Sequence, residues 1–487
     1  MRKRTIAVQP LLLTALVAGL LFPAGLAHAQ AKLTVDPKDQ EIELLKSEIK
    51  QLEGRVETLE GIGQRVKVID RKIEVQAETD RQKALEAPII KAGADGFSIS
   101  SAKGDYKLNF GGIVQGDGRF FTSGSDKNVS STFFLNRVRP IITGTLFKYY
   151  DFNITPDFGQ GRVVLQDAWV NLNYFSQAQF QAGKYKAPFD LERLQSDRDL
   201  LFSERGETIN LVPNRDTGGE VHGDLFDKRL TYQLALMNGV PNNTATVDID
   251  NNDGKDFIAR VFANPFRQSE HEWAKGLGLG FAASFGSERG ATTSVYKTYG
   301  QSTWFSYNKG VTASGERTRL EPQAYWYFRN FGLLGEYASD QHSLNQFTKL
   351  GSGALTRLIN NTDTFRDSGY LAQASCLLTG EDASYGQIKP YRPFDPRSGK
   401  WGAWELAARI SNVSADTRQF KLGFASPTVS AKSATEYALG INWYLSNNVK
   451  WQFDYARTYF NWGAGVKGAG TDRPDESVFE SQLQIAF

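Results

Sequence analysis

Apolar and polar side chains alternate one by one along most of this chain, from about residue 97 to residue 487. In the stretch VKWQFDYARTY, which begins at Val449, the apolar Trp451, Phe453 and Tyr455 are each separated by one polar or small residue. Successive side chains of a β-strand point to opposite faces of the sheet, so a period of two is typical of strands. The sequence therefore predicts an all-β domain over residues 97–487.

The two faces of these strands differ in composition. One face carries Trp, Tyr and Phe, and the other carries charged and amide side chains such as Glu321, Arg329, Glu405, Arg409, Asp454 and Gln482. A soluble β-sandwich turns its apolar face inward, whereas a membrane barrel turns aromatic residues toward lipid and charges toward an aqueous lumen. Alternation alone leaves both arrangements open.

The lengths of the connections and the size of the domain favour the barrel. Only three residues separate a run that ends at Leu445 from the next, which begins at Val449, and this predicts a hairpin with a short turn. The long Gly-, Ser- and Asn-rich segments at 242–253 and 286–315 are typical of the outer loops of barrels. We expect a transmembrane antiparallel β-barrel of about 16 strands in contact with outer-membrane lipid, a size that leaves a water-filled channel.

The first residues are typical of an exported protein. Three basic residues, 2–4, precede an apolar run from Leu11 to Phe22, and the small-residue motif AHA ends at Ala29. The run is far shorter than the roughly 20 apolar residues that a membrane-spanning helix needs. Residues 1–29 are therefore predicted to be a secretory signal peptide.

Residues 39–75 show a second periodicity, with apolar residues at spacings of three and four. The apolar positions are Ile42, Leu45, Ile49, Leu52, Val56 and Leu59. This is the heptad pattern of a coiled coil, interrupted at Gly61 and Gly63, and a single amphipathic helix lying on its own domain is the alternative. Residues 76–96 mix charges with Ala, Pro and Gly and are predicted to be a linker. We thus expect a short N-terminal α-helical coiled coil in the periplasm, ahead of the barrel.

Charge and composition exclude several classes of protein. The formal net charge of +2 at pH 7 becomes slightly negative without the signal peptide, so no basic surface for nucleic acid is expected. Cys376 is the only cysteine, which rules out an internal disulfide and CxxC metal motifs. Outside the signal, the histidines are His222, His271 and His342, and none stands in a GxSxG or HExxH motif. We expect no enzymatic activity and no cofactor, and no ligand spacing specifies a metal.

The stretch from Phe189 to Gly218, FDLERLQSDRDLLFSERGETINLVPNRDTG, breaks the alternation and contains four arginines and seven carboxylates. A loop inside an aqueous lumen needs no alternation, and its charges would meet a passing solute. The alternative is a solvated external loop with locally paired charges, in which Arg193 and Asp197 form a helical ion pair four residues apart.

Several strings in the barrel region resemble those of a known family, the phosphate-selective porins O and P. They are GKYKAPFDLERLQSD from Gly183, LVPNRDTGGEVHG from Leu211, GYLAQASCLLTGE from Gly369, GAWELAARIS from Gly402 and LGINWYLSNNVKW from Leu439. The resemblance implies a homotrimer of sixteen-stranded barrels in the outer membrane of a Gram-negative bacterium, each with its third extracellular loop folded inward. It also implies passage of phosphate, polyphosphate or other small anions, and it identifies the stretch Phe189–Gly218 as the inward loop.

The resemblance also indicates which residues narrow the pore. The candidate constriction residues are Arg137, Arg139, Arg193, Arg198, Arg205 and Arg215. Of these, Arg193, Arg205 and Arg137 match basic positions of the family, and Arg139 shares a face with Arg137 by alternation, while the other two are supporting candidates. Arginine presents a planar fork of donors that fits phosphate oxygens, and it stays charged at any relevant pH.

Two positions depart from the family's pattern. Ile113 stands where phosphate-selecting members carry arginine, and Asn136 stands in place of the other arginine of the Arg137 pair. A weakly or differently selective pore therefore remains open, including a general or sugar-selective porin in which aromatic side chains form a stacking path. From another class, the barrel could anchor a structural tether that spans the periplasm through the coiled coil.

Overall fold

A computed structural model of the chain describes residues 37–93, 96–123, 129–246, 253–291, 293–350, 357–463 and 472–487. The expected signal peptide, residues 1–29, lies outside these ranges. The chain divides into two units, Met1–Ala84 and Leu85–Phe487, and each is described by itself.

One long helix, α1, spans Pro37–Glu86. It continues through Gly61 and Gly63, because a glycine costs only about 1 kcal/mol in a helix and most neighbouring residues are strong helix formers. The apolar positions of the heptad pattern lie on its surface, with Ile42 48% and Leu59 64% exposed. No helix among the described residues is both long enough and apolar enough to cross a membrane.

Residues 76–96, which the sequence predicted to be a linker, instead carry regular structure. The helix α1 continues to Glu86, because the run QAETDRQKALE contains no helix breaker. The strands β1 (Ile89–Gly93) and β2 (Gly96–Ser100) then form an antiparallel hairpin. Strand β2 also pairs with the first residues of the next strand, so the hairpin belongs to the sheet of the barrel.

Antiparallel strands build a closed barrel. The remaining strands are, in chain order, β3 (Lys107–Ser123), β4 (Thr132–Leu146), β5 (Tyr150–Asp157), β6 (Val164–Phe175), β7 (Ala178–Lys186), β8 (Arg215–Leu225), β9 (Leu230–Met237), β10 (Asp256–Ala263), β11 (Leu277–Ala291), β12 (Tyr296–Lys297), β13 (Thr303–Phe305), β14 (Val311–Phe328), β15 (Phe331–Leu350), β16 (Arg357–Leu377), β17 (Ala403–Ser414), β18 (Ala431–Tyr444), β19 (Val449–Trp462) and β20 (Glu476–Ala486). Within the described residues, β3–β11 and β14–β20 form a sixteen-stranded wall that closes where β20 pairs with β3, with Ala486 opposite Ile113. The expected barrel of about sixteen strands is confirmed.

Short helical segments lie in the connections between strands. They are α2 (Leu191–Leu194), α3 (Glu272–Lys275) and α4 (Arg418–Lys421), with 3-10 turns at Gly159–Gly161, Glu207–Leu211 and Pro396–Ser398.

The barrel turns its aromatic face outward. On β19, Trp451, Tyr455 and Tyr459 are exposed, whereas Gln452 and Asp454 between them are buried. The charged face of the strands therefore lines the lumen, which is the arrangement of a membrane barrel and the inverse of a sandwich core.

Aromatic rings gather on the outer surface near the short turns. The ring of Trp443 stacks between Trp404 and Trp451, with centroid distances of 4.9 Å and 6.3 Å. Such belts are typical of the membrane interface, where an indole ring packs against lipid and its N–H finds a polar partner. Here Trp443 Nε1 donates to Trp401 O at 2.7 Å.

Several connections fold into the lumen. Among them are residues 187–214, between β7 and β8, residues 293–310, between β11 and β14, and residues 378–402, between β16 and β17. Their buried apolar side chains include Phe189, Leu200, Phe202, Leu211, Tyr299, Trp304 and Ile388. These side chains fill space that would otherwise hold water, so the inward-folded connections narrow the lumen.

The first of these connections, residues 187–214, is called the inner loop below. It reaches from its root between β7 and β8 to the opposite wall, where Ser203 N and Oγ donate to Asp454 Oδ2 at 2.9 Å and 2.6 Å. Glu207 N donates to Ser411 Oγ on β17 at 2.7 Å. The stretch that breaks the alternation thus lies inside the barrel, and the alternative of a solvated external loop is wrong.

Candidate functional site

The inner loop changes direction at Asp190. This residue has φ of 66°, a left-handed conformation that non-glycine residues rarely adopt, and its carboxylate accepts a hydrogen bond from Arg193 N at 2.6 Å. The carboxylate thereby caps α2, a single helical turn. Because α2 ends at Leu194, Arg193 and Asp197 do not share a helical face, and Arg193 Nη2 instead donates to Asn243 Oδ1 at 2.7 Å.

Asp197 is the centre of a group of basic side chains. Its carboxylate pairs with Arg139, with Arg205 Nη1 at 2.7 Å and with Arg137 Nε at 3.6 Å, and Arg215 Nη2 lies 4.0 Å away. Burial opposes the charged form, but the guanidinium groups of Arg139 and Arg205 outweigh it and hold the pKa of Asp197 well below its usual range. The carboxylate therefore stays charged and brings together four of the predicted arginines.

Strand β4 supplies two of these arginines. Arg137 and Arg139 are both 7% exposed and point into the lumen. The register of β3 against β4 shifts between Gln115 and Gly116, and at this bulge Asn136 is buried as well, at 3% exposure. The bulge therefore presents two consecutive side chains to the lumen, which strict alternation does not predict.

Lys186 is a further cation of this group, and the sequence reasoning missed it. It is the last residue of β7, its Nζ donates to Gln195 O at 2.8 Å, and its charge acts on Asp197. The signal for it is the motif GKYKAP, in which Lys184 and Lys186 fall on one face of a strand that enters the inner loop. The set Arg137, Arg139, Lys186, Arg205 and Arg215 is called the basic cluster below.

Three carboxylates pair closely with the basic cluster. They are Asp197, Asp157 at 2.6 Å from Arg139 Nε, and Asp167 at 3.2 Å from Arg215 Nε. Glu204 lies farther away, 3.8 Å from Arg137, and pairs more closely with Arg119 at 2.9 Å. Four guanidinium groups and the amine of Lys186 thus face these carboxylates beside the inner loop.

Arg193 and Arg198 lie outside the basic cluster. Burial, together with the like charge of Arg205, lowers the pKa of Arg193 to about 9. Arg198 Nε pairs with Asp199 at 3.3 Å and lines a small cavity beside Asn448, near the short turns. The structure thus separates these two predicted site residues from the other four.

Arginines of the wall neutralise acids of the inner loop. Arg119 on β3 pairs with Glu204, and Arg409 on β17 pairs with Glu192 at 3.1 Å. Arg409 also binds Glu436 on the neighbouring strand β18 at 2.8 Å, so its guanidinium group bridges the inner loop and the wall. Arg119 likewise binds Glu480 on β20 at 2.9 Å, so each of these arginines joins one acid of the inner loop to one acid of the wall.

A cavity of about 430 Å³ lies between the inner loop and the strands β3–β9. Arg139, Lys186 and Arg215 line it, together with Asp167, Trp169, Tyr185, Glu220, His222 and Gln233. Ile113 lines the same cavity, so the wall is apolar at the position where the family pattern has arginine. Asp197 lines it too, so the cavity offers a passing solute three basic side chains, three carboxylates, several hydrogen-bonding groups and two aromatic rings.

Comparison with known proteins identifies the family. The profile of the phosphate-selective porin O and P family matches residues 108–487. The chain belongs to this family. Porin O of Pseudomonas aeruginosa is 22% identical over 423 residues, which are 82% of this chain and 93% of that protein. The predicted outer-membrane anion porin is thereby confirmed, and the family is one of channels rather than enzymes.

Several solved structures are similar to this chain. OmpT of Vibrio cholerae, an outer membrane protein folded in vitro, gives a TM-score of 0.48 at 10% identity and covers 82% of this porin and 100% of its own chain. A trimer form of OmpT gives 0.48 at 10% identity, with coverage of 78% and 99%. The anion-selective porin from Comamonas acidovorans gives 0.46 at 11% identity, with coverage of 78% and 100%.

Proposed function

We propose that this porin is a passive channel for small anions, with phosphate or polyphosphate among its solutes, and that the solute passes through the cavity between the inner loop and β3–β9. The observation that carries the proposal is the basic cluster, because three of its members, Arg139, Lys186 and Arg215, line that cavity. The lining holds three carboxylates as well, Asp167, Asp197 and Glu220, and one of them, Asp197, is shared with the further arginines Arg137 and Arg205.

The chemistry of the cluster suits transport rather than tight capture. At an effective dielectric constant near 20, one contact between unit charges 4 Å apart is worth about 4 kcal/mol before desolvation is subtracted. Asp167 binds Arg215 and Asp197 binds Arg139, so both guanidinium groups are partly neutralised before a solute arrives. A site of this kind replaces part of the hydration of an anion and still releases it.

The cations of the cluster divide into two roles in this proposal. Arg139, Lys186 and Arg215 contact the solute, whereas Arg137 and Arg205 hold the inner loop in place. Arg205 supports this division, since its Nε donates to Glu192 O at 2.8 Å and its Nη2 to Gln195 O at 3.0 Å. Its guanidinium group is occupied by the backbone of the loop, not directed at the cavity.

A sugar or another neutral nutrient is the second candidate solute. Trp169 and Tyr185 line the cavity beside Glu220 and His222, and Ile113 contributes apolar surface. Aromatic rings next to hydrogen-bonding groups are the usual lining of pockets for neutral polar ligands. This composition favours a channel that accepts more than one class of solute.

The experiment that separates the two candidates is single-channel recording of the purified full-length porin in a planar bilayer. A KCl gradient gives the ratio of anion to cation permeability, and phosphate or maltose is then added at increasing concentration. The proposal expects an anion-selective current that phosphate reduces in a saturable way. A current that maltose blocks and phosphate does not would favour the second candidate.

The N-terminal part is proposed to be a periplasmic coiled coil that helps three copies of the porin associate, after removal of a signal peptide at residues 1–29. Its support is α1, whose heptad positions remain 48–64% exposed from Ile42 to Leu59 and so can pack against other copies. Removing residues 30–86 and measuring the oligomer by light scattering in detergent tests this. An intact trimer would argue against association through α1 and would favour a tether to another periplasmic component.

A further inference from the structure

Three carboxylates from distant parts of the sequence meet inside the barrel. Asp190 stands at the root of the inner loop, Glu321 on β14 and Glu336 on β15, and they are 0%, 0% and 5% exposed. One oxygen of each lies within 4.8 Å of one oxygen of each other. We call this group the carboxylate triad.

Three of the six carboxylate oxygens of the triad lack the partners that usually accompany buried carboxylates. Both oxygens of the fully buried Glu321 are without a hydrogen-bond donor, and so is Asp190 Oδ2. Ion pairs within 4.0 Å involve neither these two residues nor Glu336 in the part of the chain that the structure describes. Buried charges are normally paired or bind a metal ion, because leaving them unpaired costs several kcal/mol.

A basic side chain of the wall that interacts with the triad through its charge makes its hydrogen bonds elsewhere. Arg260 on β10 donates from Nε to Gln323 Oε1 at 3.2 Å and from Nη1 to Gln233 Oε1 at 3.0 Å. Arg260 therefore forms no ion pair within 4.0 Å with the triad, although its charge interacts with that of Glu321 at longer range. The unsatisfied oxygens of Glu321 consequently point to a positively charged partner that comes from outside the chain.

The geometry points to a hard divalent cation, and we propose that Asp190, Glu321 and Glu336 bind one ion of the size of Ca²⁺. Calcium takes oxygen ligands at about 2.3–2.6 Å, so two ligands on opposite sides of the ion lie about 4.6–5.2 Å apart. The three oxygens lie within 4.8 Å of one another, so one ion of this size can contact all of them. Magnesium, with ligands at about 2.0–2.1 Å, needs a tighter group and keeps more water.

The triad lies where a bound ion would attach the inner loop to the wall of the barrel. Glu336 Oε2 accepts a hydrogen bond from Leu191 N at 2.8 Å, and Glu336 Oε1 accepts one from Glu192 N at 3.3 Å. Asp190 caps the same helical turn through Arg193 N. An ion held by the triad therefore fastens the root of the inner loop to β14 and β15, on the side opposite to the solute cavity.

The test is calcium binding to purified full-length porin that has been treated with a chelator and exchanged into calcium-free detergent. Isothermal titration with CaCl₂ should show one ion per chain. Tb³⁺, a luminescent substitute for Ca²⁺, should be sensitised through Tyr385, whose ring stacks on Tyr325 at 5.5 Å and whose hydroxyl contacts Leu191 O. Calcium should displace Tb³⁺ and quench this signal.

Two variants locate the ion. Glu321→Gln should raise the dissociation constant for Ca²⁺ at least tenfold, because it removes a charged ligand and keeps the shape. Glu405→Gln is the matched control: Glu405 is a lumenal glutamate at 3% exposure that already accepts bonds from Asn442 and Tyr444, and its replacement should leave calcium affinity unchanged. If Glu321→Gln does not fold, Glu336→Gln takes its place.

Absence of saturable Ca²⁺ and Tb³⁺ binding by the folded wild-type porin up to a few millimolar would overturn the proposal and leave protons as the partners of the triad. Binding that Glu321→Gln and Glu336→Gln both retain would overturn it as well, because the ion would then sit elsewhere. The inference does not rest on the proposed anion path. Reversal potentials measured on the same preparations report on that path separately.

Discussion

Asp197 in the inner loop and Arg139 on β4 form an ion pair that joins the loop to the wall beside the solute cavity. Both side chains are largely buried, at 4% and 8% exposure, and each has a second partner, Arg205 for the carboxylate and Asp157 for the guanidinium group. The pair thus belongs to a network in which one carboxylate fixes the positions of several cations.

Replacing Asp197 by asparagine should have opposite effects on stability and selectivity. The barrel should lose about 3–5 kcal/mol of unfolding free energy, because buried guanidinium groups lose their shared partner. The permeability ratio should shift further toward anions, since one negative charge is removed next to the cavity. Thermal unfolding followed by circular dichroism and reversal potentials in a KCl gradient measure both effects. Asp199→Asn is the control, because Asp199 pairs with Arg198 outside the cluster; equal losses in both variants would count against a central role for Asp197.

The low pKa of Asp197 gives a prediction on pH. The pKa of this carboxyl is depressed in the folded state, so its contribution to stability is complete above the unfolded value of about 3.9 and is lost as the pH falls through the folded pKa. Single-channel conductance should therefore show no change that depends on Asp197 between pH 8 and pH 5. A step in conductance near pH 6 that disappears in Asp197→Asn would contradict the assignment of a permanently charged carboxylate.

Arg205→Gln should loosen the inner loop more than Arg193→Gln. Arg205 binds Asp197 and the carbonyl oxygens of Glu192 and Gln195, whereas the side chain of Arg193 makes one hydrogen bond within the described residues, to Asn243. Losing several charge-assisted bonds should cost about 2–4 kcal/mol, and losing one about 1–2 kcal/mol. Unfolding temperatures of the two variants test this order. The reverse order would show that Arg193, not Arg205, holds the loop.

Ile113→Arg should strengthen the interaction with phosphate. Ile113 lines the cavity close to Arg139, and an arginine there adds a fourth cation to the path. One additional charge-assisted contact worth about 1.4 kcal/mol corresponds to a tenfold lower phosphate concentration for half-maximal block of the chloride current. Ile113→Leu conserves the apolar wall and should leave the block unchanged. Equal block in wild type, Ile113→Leu and Ile113→Arg would place the phosphate path elsewhere.

Much of the fold follows from local sequence pattern. Strict alternation in stretches such as the one after Val449 predicts strands, and the chemistry of the two faces distinguishes a membrane barrel from a sandwich. The end of α1 was harder to predict, because charged and Ala-rich residues up to Glu86 are compatible with both helix and linker. The helix also passes through Gly61 and Gly63, since surrounding helix formers outweigh two glycines.

The site was predictable only in part, because its partners come from distant strands. The stretch around Asp197 could be recognised as unusual. Its ion pair with Arg139 could not, because that pair depends on how the inner loop packs against β4. Lys186 could have been found from the alternation in GKYKAP, which places it on a lumenal face. The carboxylate triad could not, since Glu321 and Glu336 approach Asp190 only after the loop has folded inward.

The most direct test of the anion path is the reversal potential of the wild-type porin and of the double variant Lys186→Gln/Arg215→Gln in the same KCl gradient. Both replaced cations line the cavity, and Arg198→Gln, whose side chain lines a different cavity, is the control. We expect an anion-selective potential in wild type and control, and a shift of the double variant toward cations with weaker block by phosphate. An unchanged potential and unchanged phosphate block in a folded double variant would contradict the claim that the basic cluster selects the solute.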